Sequence, residues 1–504
     1  MTEPERTAPP SGWYEFPPSF AQRRLWVLHQ LEPQSPAYNV PWFLRLTGEL
    51  DHSALERSLR ELVRRHESLR TTFPMRDGEP VQQIHLLEAT GEFTLPLADL
   101  SQLGGREREE AARALRQREA TCPFDLGCGP LIRFNLVRLA DREHELLVTM
   151  HHIVSDGWSK GILMSELCAL YEAFLRKKPS PLPEPTIQYA DYSLWQRELV
   201  QSGVFEQQLE YWSKRLADVP LLDLPTRYPR SQVTNRSGAV VTFSVPRNVS
   251  ERLQNLKQSE EATSFIVLLA AFQWLLGLYA NQEDVSVGTV IASRSRKDTQ
   301  NLVGLLLNTL VLRADLGGQP SFRELIGRVR QIVLEAYANQ DAPFDQILEG
   351  LRPQRMLGQD PLLQVAFIVE NGRNEPSYVS GLQIEEISAD LERAKFEVLL
   401  ALQETPEGLQ GDLQYAAELY DRQSMEQMAR QYRRLIEIAS AEPDTPLTSL
   451  SLIEDEDWRS VQNWNRTERE YPSERSLQEL FERQVDADPQ ALALVQGGSR
   501  LTYR

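Results

Sequence analysis

The sequence predicts an α/β or α+β fold. Short apolar runs with strand character alternate along the whole chain with longer segments whose apolar residues recur every three or four positions. Hydrophobic residues make up 41% of the 504 positions, sufficient for more than one core. That length suits roughly three domains of about 150 residues.

Residues 1–14 are polar and proline-rich and read as a leader. Residues 20–31 and 54–67 carry amphipathic helical patterns, the second with Leu55, Leu59, Leu62 and Val63 on one face. Residues 93–97 suggest a short strand that Pro96 confines to a sheet edge. Residues 106–120 form a strongly charged, solvated helix. Residues 131–137 and 145–150 are strands, and 158–175 is a helix. Residues 177–185 hold four prolines in nine positions. Such a run cannot lie inside a helix or a central strand, so a boundary between two lobes falls there.

Beyond it, helices are expected at 206–217, 264–279, 322–337 and 424–439. Strands are expected at 239–244, 285–291, 363–369, 395–403 and 409–415. The longest apolar stretch, 265–280, is interrupted by Gln273 and Gly277. It falls short of the roughly 20 residues a spanning helix needs and reads as a buried core helix.

Composition removes some functions. Lys plus Arg number 54 against 72 Asp plus Glu, a net charge of −18. Nucleic-acid binding would need a basic footprint. The acidic balance favours solubility. The three cysteines, Cys122, Cys128 and Cys168, make no zinc spacing and read as small buried hydrophobes in a reducing cytoplasm. The N-terminus has no apolar signal region. A soluble, cytoplasmic protein is expected.

Chemistry concentrates in His151-His152-Ile153-Val154-Ser155-Asp156-Gly157, directly after an apolar strand. Imidazole is suited to moving protons near neutral pH. The chain has seven histidines, none beyond His152. That matters for Gly157-Trp158-Ser159-Lys160-Gly161, which has the spacing of a nucleophile elbow. In that arrangement the histidine follows the serine in chain order, and here none does. Ser159 reads instead as a residue in the first turn of a helix. Asp315-Leu316-Gly317-Gly318-Gln319-Pro320-Ser321 superficially resembles a carrier-protein attachment site, but the proline displaces the serine and a surface turn fits better. A metal site at His151, His152 and Asp156 is disfavoured, because neighbours on an extended chain point to opposite faces. One imidazole then faces a reaction space and the other packs behind it. By itself the pair also fits two satisfied histidines at a strand end.

The surrounding motifs add a resemblance. Ser19-Phe20-Ala21-Gln22-Arg23-Arg24-Leu25-Trp26, Arg65-His66-Glu67-Ser68-Leu69-Arg70 and Tyr189-Ala190-Asp191-Tyr192-Ser193-Leu194-Trp195-Gln196 flank the histidine motif. Val303-Gly304-Leu305-Leu306-Leu307-Asn308-Thr309 with Arg313, and Asn339-Gln340-Asp341-Ala342-Pro343-Phe344-Asp345, follow. In this order they resemble the motifs of a nonribosomal peptide synthetase condensation domain, with the His-His-x-x-x-Asp-Gly motif complete. The last motif, near 355–362, is the poorest match, with Met356, Gly358 and Gln359 out of pattern. Trp464-Asn465-Arg466-Thr467, Leu480-Phe481 and Leu501-Thr502-Tyr503-Arg504 resemble the start of an adenylation domain.

The resemblance implies two chloramphenicol-acetyltransferase-like lobes in a V-shaped pseudo-dimer, spanning 15–178 and 179–450. A linker at 451–470 and a truncated adenylation start at 471–504 would follow. It implies amide formation by attack of a carrier-bound amine on a donor thioester, with His152 as base or positioning group. His151, Ser155, Gly157 and Trp158 would support it, with Gly157 permitting the turn into the helix. Asp156 would pair bidentately with Arg294 of the second lobe, and Asn371 would line the junction. No covalently bound cofactor is implied: substrates arrive on phosphopantetheine arms of donor and acceptor carrier domains. The adjacent adenylation domain would be a further partner, the chain a monomer, and neither nucleic acid nor membrane is involved. Ser155 resembles domains taking an L-configured donor or lipo-initiating starter domains, so an acyl-CoA donor stays open. A stand-alone acyl-CoA acyltransferase of similar fold and a non-catalytic carrier-docking platform also remain.

Overall fold

The computed structural model describes residues 12–87, 93–230, 237–351, 362–370, 376–387, 394–470 and 474–504. The chain forms two compact units, Met1–Leu450 and Ser451–Arg504.

The first unit holds two six-stranded sheets. In the first, strands follow the order Ser377–Val379, Leu382–Ile387, Asn39–Thr47, Glu143–His151, Ile132–Ala140, Leu97–Asp99. Successive side chains on a strand point to opposite faces. Trp42, Leu44, Leu46, Leu146, Val148 and Met150 therefore pack one way, against helices His52–Arg65 and Gly157–Leu175. Phe43, Val137 and Leu147 pack the other way, beside Ala112 and Ala120 of helix Gly105–Thr121. With both faces covered, Asn39–Thr47 is apolar throughout its middle and lacks the alternation that marks a half-buried strand. Pro41 obscures it further, and no strand was expected there. Each fully buried leucine contributes roughly 1.5–3 kcal/mol relative to exposure.

Ser377–Ile387 falls in the second lobe by chain position, yet it completes the first sheet, with Leu46 opposite Ile384 and Phe43 opposite Ile387. It covers an otherwise open edge of strand Asn39–Thr47. A single cut at 178/179 therefore does not separate the two sheets.

The second sheet runs Gly238–Pro246, Gly408–Ala416, Val398–Thr405, Val365–Glu370, Asp284–Ala292, Leu307–Asp315. Helix Ser264–Ala280 packs on it, buried at every position from Ile266 to Gly277. Gln273 is tolerated there because its amide donates to the Leu312 carbonyl at 2.8 Å. A side chain at Gly277 would meet Leu316 at 2.4 Å and the Gln282 carbonyl at 2.8 Å. The glycine that interrupts the apolar run thus allows the helix to approach its neighbours. Among the described residues no single helix is long and apolar enough to cross a membrane.

Three local expectations change. The edge strand begins at Leu97, not 93: Pro96 has no N–H to give, and its carbonyl instead accepts from Leu136 at 2.8 Å. Cys122 and Cys128 are exposed and only Cys168 is half-buried, because the first two lie on the loop between helix Gly105–Thr121 and strand Ile132–Ala140. Ser321 is not simply a turn residue but the N-cap of helix Phe322–Ala338, in a reciprocal capping box with Glu324.

The second unit contains helices Asp455–Trp464 and Leu477–Ala487 and a hairpin, Leu492–Gln496 with Ser499–Thr502. Its apolar residues remain open to solvent: Trp464, Leu477, Phe481, Leu494 and Leu501 are all exposed.

Candidate functional site

Strand Glu143–His151 ends at the first histidine, and the next residue opens a 3-10 turn, His152–Val154. The backbone N–H of His151 donates to the Leu131 carbonyl at 2.9 Å, and that of His152 to the Tyr38 carbonyl at 2.8 Å. The two imidazoles meet different surroundings.

His151 is buried among the rings of His29, Tyr38 and Phe124, at centroid distances of 6.0, 6.4 and 6.0 Å. Its Nδ1 accepts the Ile153 N–H at 3.1 Å, which places the ring proton on Nε2. Burial, aided by His29, His152 and Lys395, pushes its pKa down to about 3, so it is neutral at pH 7.

His152 is only partly covered. Its Nδ1 lies 2.7 Å from the Ser155 carbonyl. A carbonyl only accepts, so Nδ1 carries the proton and Nε2 presents a bare lone pair. No hydrogen-bond partner for Nε2 is found among the described residues. Burial, then the charge of Lys395, lowers its pKa to about 4.

Asp156 is fully buried and occupied on every side. It caps helix Gly157–Leu175, accepting the Ser159 N–H at 2.7 Å and the Ser159 hydroxyl at 2.6 Å. The Leu306 N–H donates to it at 3.1 Å. Arg294 reaches it across 138 positions of chain, and a single nitrogen, Nη2, contacts both carboxylate oxygens at 3.0 and 2.9 Å. The expected two-nitrogen fork does not form, because Nη1 donates to the Thr299 and Leu302 carbonyls at 2.8 and 2.6 Å. Arg294 thereby folds its own loop while holding the opposite lobe.

Gly157 departs from its expected role. It occupies the first turn of the helix, and a side chain there would meet nothing within 4 Å. The turn is made by Asp156 as N-cap, so glycine leaves open space instead of relieving strain. Trp158 is 52% exposed, its indole N–H donating to the Gln300 carbonyl at 3.0 Å and its ring lying 5.7 Å from the Arg294 guanidinium. Ser155 is buried, and its hydroxyl has no partner among the described residues. Asn371 lies outside the described residues, as does most of 355–362.

The flanking motifs act as braces for this loop. The Gln22 amide donates to the Ile153 carbonyl at 3.1 Å. Tyr189 donates to the Leu305 carbonyl at 2.7 Å and meets the Ser19 hydroxyl at 2.8 Å. A side chain at Gly304 would strike the Tyr189 ring at 2.0 Å. Arg65 and His66 both bind Glu166 of the helix that follows the loop, at 3.1 and 2.8 Å. Burial opposes ionisation of Glu166, but these partners hold its pKa at about 2. Asn308 donates to the Gln340 and Ala342 carbonyls, each at 2.8 Å, tying two motifs of the second lobe together. Among the described residues no three His, Cys, Asp or Glu gather as a metal site.

Comparison with known proteins identifies the family. The family described as the condensation domain matches residues 14–461. The chain is 42% identical to a linear gramicidin synthase protein of Brevibacillus parabrevis over 506 aligned positions, 99% of this chain and 10% of that protein. It is 36% identical to gramicidin S synthase 2 of Brevibacillus brevis, covering 98% of this chain and 11% of that one. It thus spans about a tenth of the length of these relatives. Among solved structures, the X-domain of teicoplanin biosynthesis in complex with OxyB superposes with a TM-score of 0.81 at 27% identity, over 90% of this chain and 98% of that one. The first condensation domain of the calcium-dependent antibiotic synthetase shares the fold, with a TM-score of 0.72 at 21% identity over 88% of this chain and all of that one. The chain belongs to the condensation-domain family, the acyltransferase-type domains that form peptide bonds in nonribosomal peptide synthesis.

Proposed function

We propose that this chain joins an acceptor α-amine to a donor acyl or peptidyl thioester at His152. The observation that carries the reading is the state of that ring. It is neutral at pH 7, anchored through Nδ1 and bare at Nε2. As the amine nitrogen bonds to the thioester carbonyl carbon, Nε2 takes up the proton that the attacking nitrogen releases. The C–S bond then breaks, and the proton passes to the departing thiolate. A pKa of about 4 makes His152 a weak base towards a free ammonium. Its work therefore falls on the attacking nitrogen, which becomes much more acidic as the new bond forms. Before that point the same lone pair orients the incoming amine. General-base catalysis of this kind is typically worth about 10²–10⁴-fold.

In this reading both substrates arrive on phosphopantetheine arms of carrier domains in the cytoplasm, and the protein works as a monomer. His151 positions the turn, and Asp156 with Arg294 fixes it. The segment 471–504 is the opening of an adenylation domain. Its exposed Leu477, Phe481 and Leu494 support this, since a unit with so little buried needs a larger body to cover it.

A single-turnover assay tests the function. Donor-loaded and acceptor-loaded carriers are mixed with the protein, acyl-CoA replaces the donor carrier in a second arm, and products are read by mass spectrometry. Amide from the carrier pair is expected. Amide from acyl-CoA alone would move the chain to the starter class, and no amide in either arm would overturn the reading.

A further inference from the structure

The last carbonyls of helix Gly105–Thr121 are taken by two side chains from the sheet that carries the histidines. The Asn39 amide donates to the Ala120 and Cys122 carbonyls at 2.8 and 2.9 Å. Arg133 donates through Nη2 to the Glu119 and Cys122 carbonyls at 3.2 and 2.7 Å, and through Nη1 to the Pro123 carbonyl at 3.3 Å. A cation at a helix C-terminus also meets the negative end of its dipole. Register explains why both side chains arrive where His151 does. Asn39 stands directly opposite His151, and Arg133 stands opposite Thr149, two positions before His151 and on the same face. The chain leaving the helix then places Phe124 against Arg133. The guanidinium carbon lies 3.8 Å from the centre of that ring, and the His151 ring stands nearly perpendicular to it, at 85° and 6.0 Å. Glu119, 3.6 Å from Nε of Arg133, supplies the counter-charge. Arg133 belongs to none of the motifs that flank the histidines in the sequence.

We infer that Arg133 is a positioning residue for condensation, acting on His152 through Phe124 and His151. The inference rests on the reading of His152 above. By holding three carbonyls, Arg133 fixes where the chain leaves the helix, and by lying over Phe124 it fixes the tilt of that ring. Phe124 is one of the rings that enclose His151. His151 has to keep its angle, because its Nδ1 accepts the Ile153 N–H and so caps the 3-10 turn His152–Val154. That turn ends at Ser155, whose carbonyl anchors the His152 ring at 2.7 Å. With Phe124 free to tilt, His151 rocks, and the bare Nε2 of His152 moves off the attacking nitrogen. A misplacement of about 1 Å caused by a remote change can cost up to about 10²-fold in rate. A lysine in place of Arg133 would bring the charge, but not the flat fork that both lies on the ring and reaches the carbonyls.

The test is a double-mutant cycle in single-turnover condensation by the full chain with loaded carriers. Arg133→Gln and Phe124→Leu should each slow the rate at saturating carriers by about 10-fold, with the half-saturating carrier concentrations unchanged. The double variant should be no slower than Phe124→Leu alone, since the two residues act in series. Arg133→Lys should slow the reaction as Arg133→Gln does. In protein with labelled histidines, the His151 ring-proton resonances should move in Arg133→Gln in the direction they move in Phe124→Leu, as the ring current of Phe124 turns away. A thermal melt checks that each variant folds, and Arg133→Lys decides the cycle if Arg133→Gln does not fold. A wild-type rate in a folded Arg133 variant, losses that multiply in the double variant, or unmoved His151 resonances overturn the role of Arg133 and leave the condensation reading intact. Absence of amide with wild-type protein, or a wild-type rate in His152→Ala, would instead overturn the reading of His152, and the resonances would still show whether Arg133 orders His151.

Discussion

The two ends of one short loop are built on opposite plans. At Asp156 every lone pair has a donor: a helix N-terminus, a serine hydroxyl, a backbone N–H and an arginine from the other lobe. At His152, four residues earlier, one ring nitrogen is tied to the loop and the other has no partner among the described residues. In the proposed reaction the saturated end fixes geometry, and the unsaturated end keeps a lone pair for substrate. A reactive group held this way loses little orientation on binding, because its neighbours have already been ordered during folding.

The contrast can be broken from either end. Replacing His152 with alanine removes the lone pair and should cut single-turnover amide formation by about 10²–10⁴-fold with the melting temperature little changed. Near-wild-type yield would refute the catalytic assignment. Asp156→Ala should do the reverse, destabilising the fold by roughly 3–5 kcal/mol because Arg294 is left buried without its counter-charge. Denaturant unfolding measures this, and removing both partners should cost less than removing Asp156 alone. Gly304→Ala drives a methyl into the Tyr189 ring and should cost about 1–3 kcal/mol through the same brace.

Acid should loosen the loop. His151 and His152 have folded pKa values near 3 and 4, below the unfolded value of about 6.5. The unfolded chain therefore binds protons first. Their contribution is fully present above pH 6.5 and is lost as pH falls from there towards 3. Stability of His151→Leu should fall less steeply over that window, and an unchanged slope would contradict the neutral state assigned to His151. The smallest effect belongs to Trp158→Phe, which loses one hydrogen bond to Gln300 on an exposed ring and should cost about 1 kcal/mol or less.

What could be read in advance follows the range of the interactions. Helix Phe20–Leu31 was legible to the residue, because its apolar period is local. Helices Ser264–Ala280 and Phe322–Ala338 were legible to within one residue for the same reason. Strands Asn39–Thr47 and Leu382–Ile387 were not, since their stability comes from partners far away in the chain. The Arg294–Asp156 contact was anticipated only through family motifs, and its one-nitrogen geometry depends on the carbonyls of Thr299 and Leu302, which no pattern announces.

The strands donated by Ser377–Ile387 bear on how such domains are recombined. A chimera joined at residue 178 would import two foreign strands into the sheet that carries His151, of which Leu382–Ile387 must match Leu46 and Phe43 of the host. Exchanging the second lobe between synthetases therefore also exchanges part of the first, and junctions that carry 377–387 with the N-terminal partner should yield better-folded hybrids.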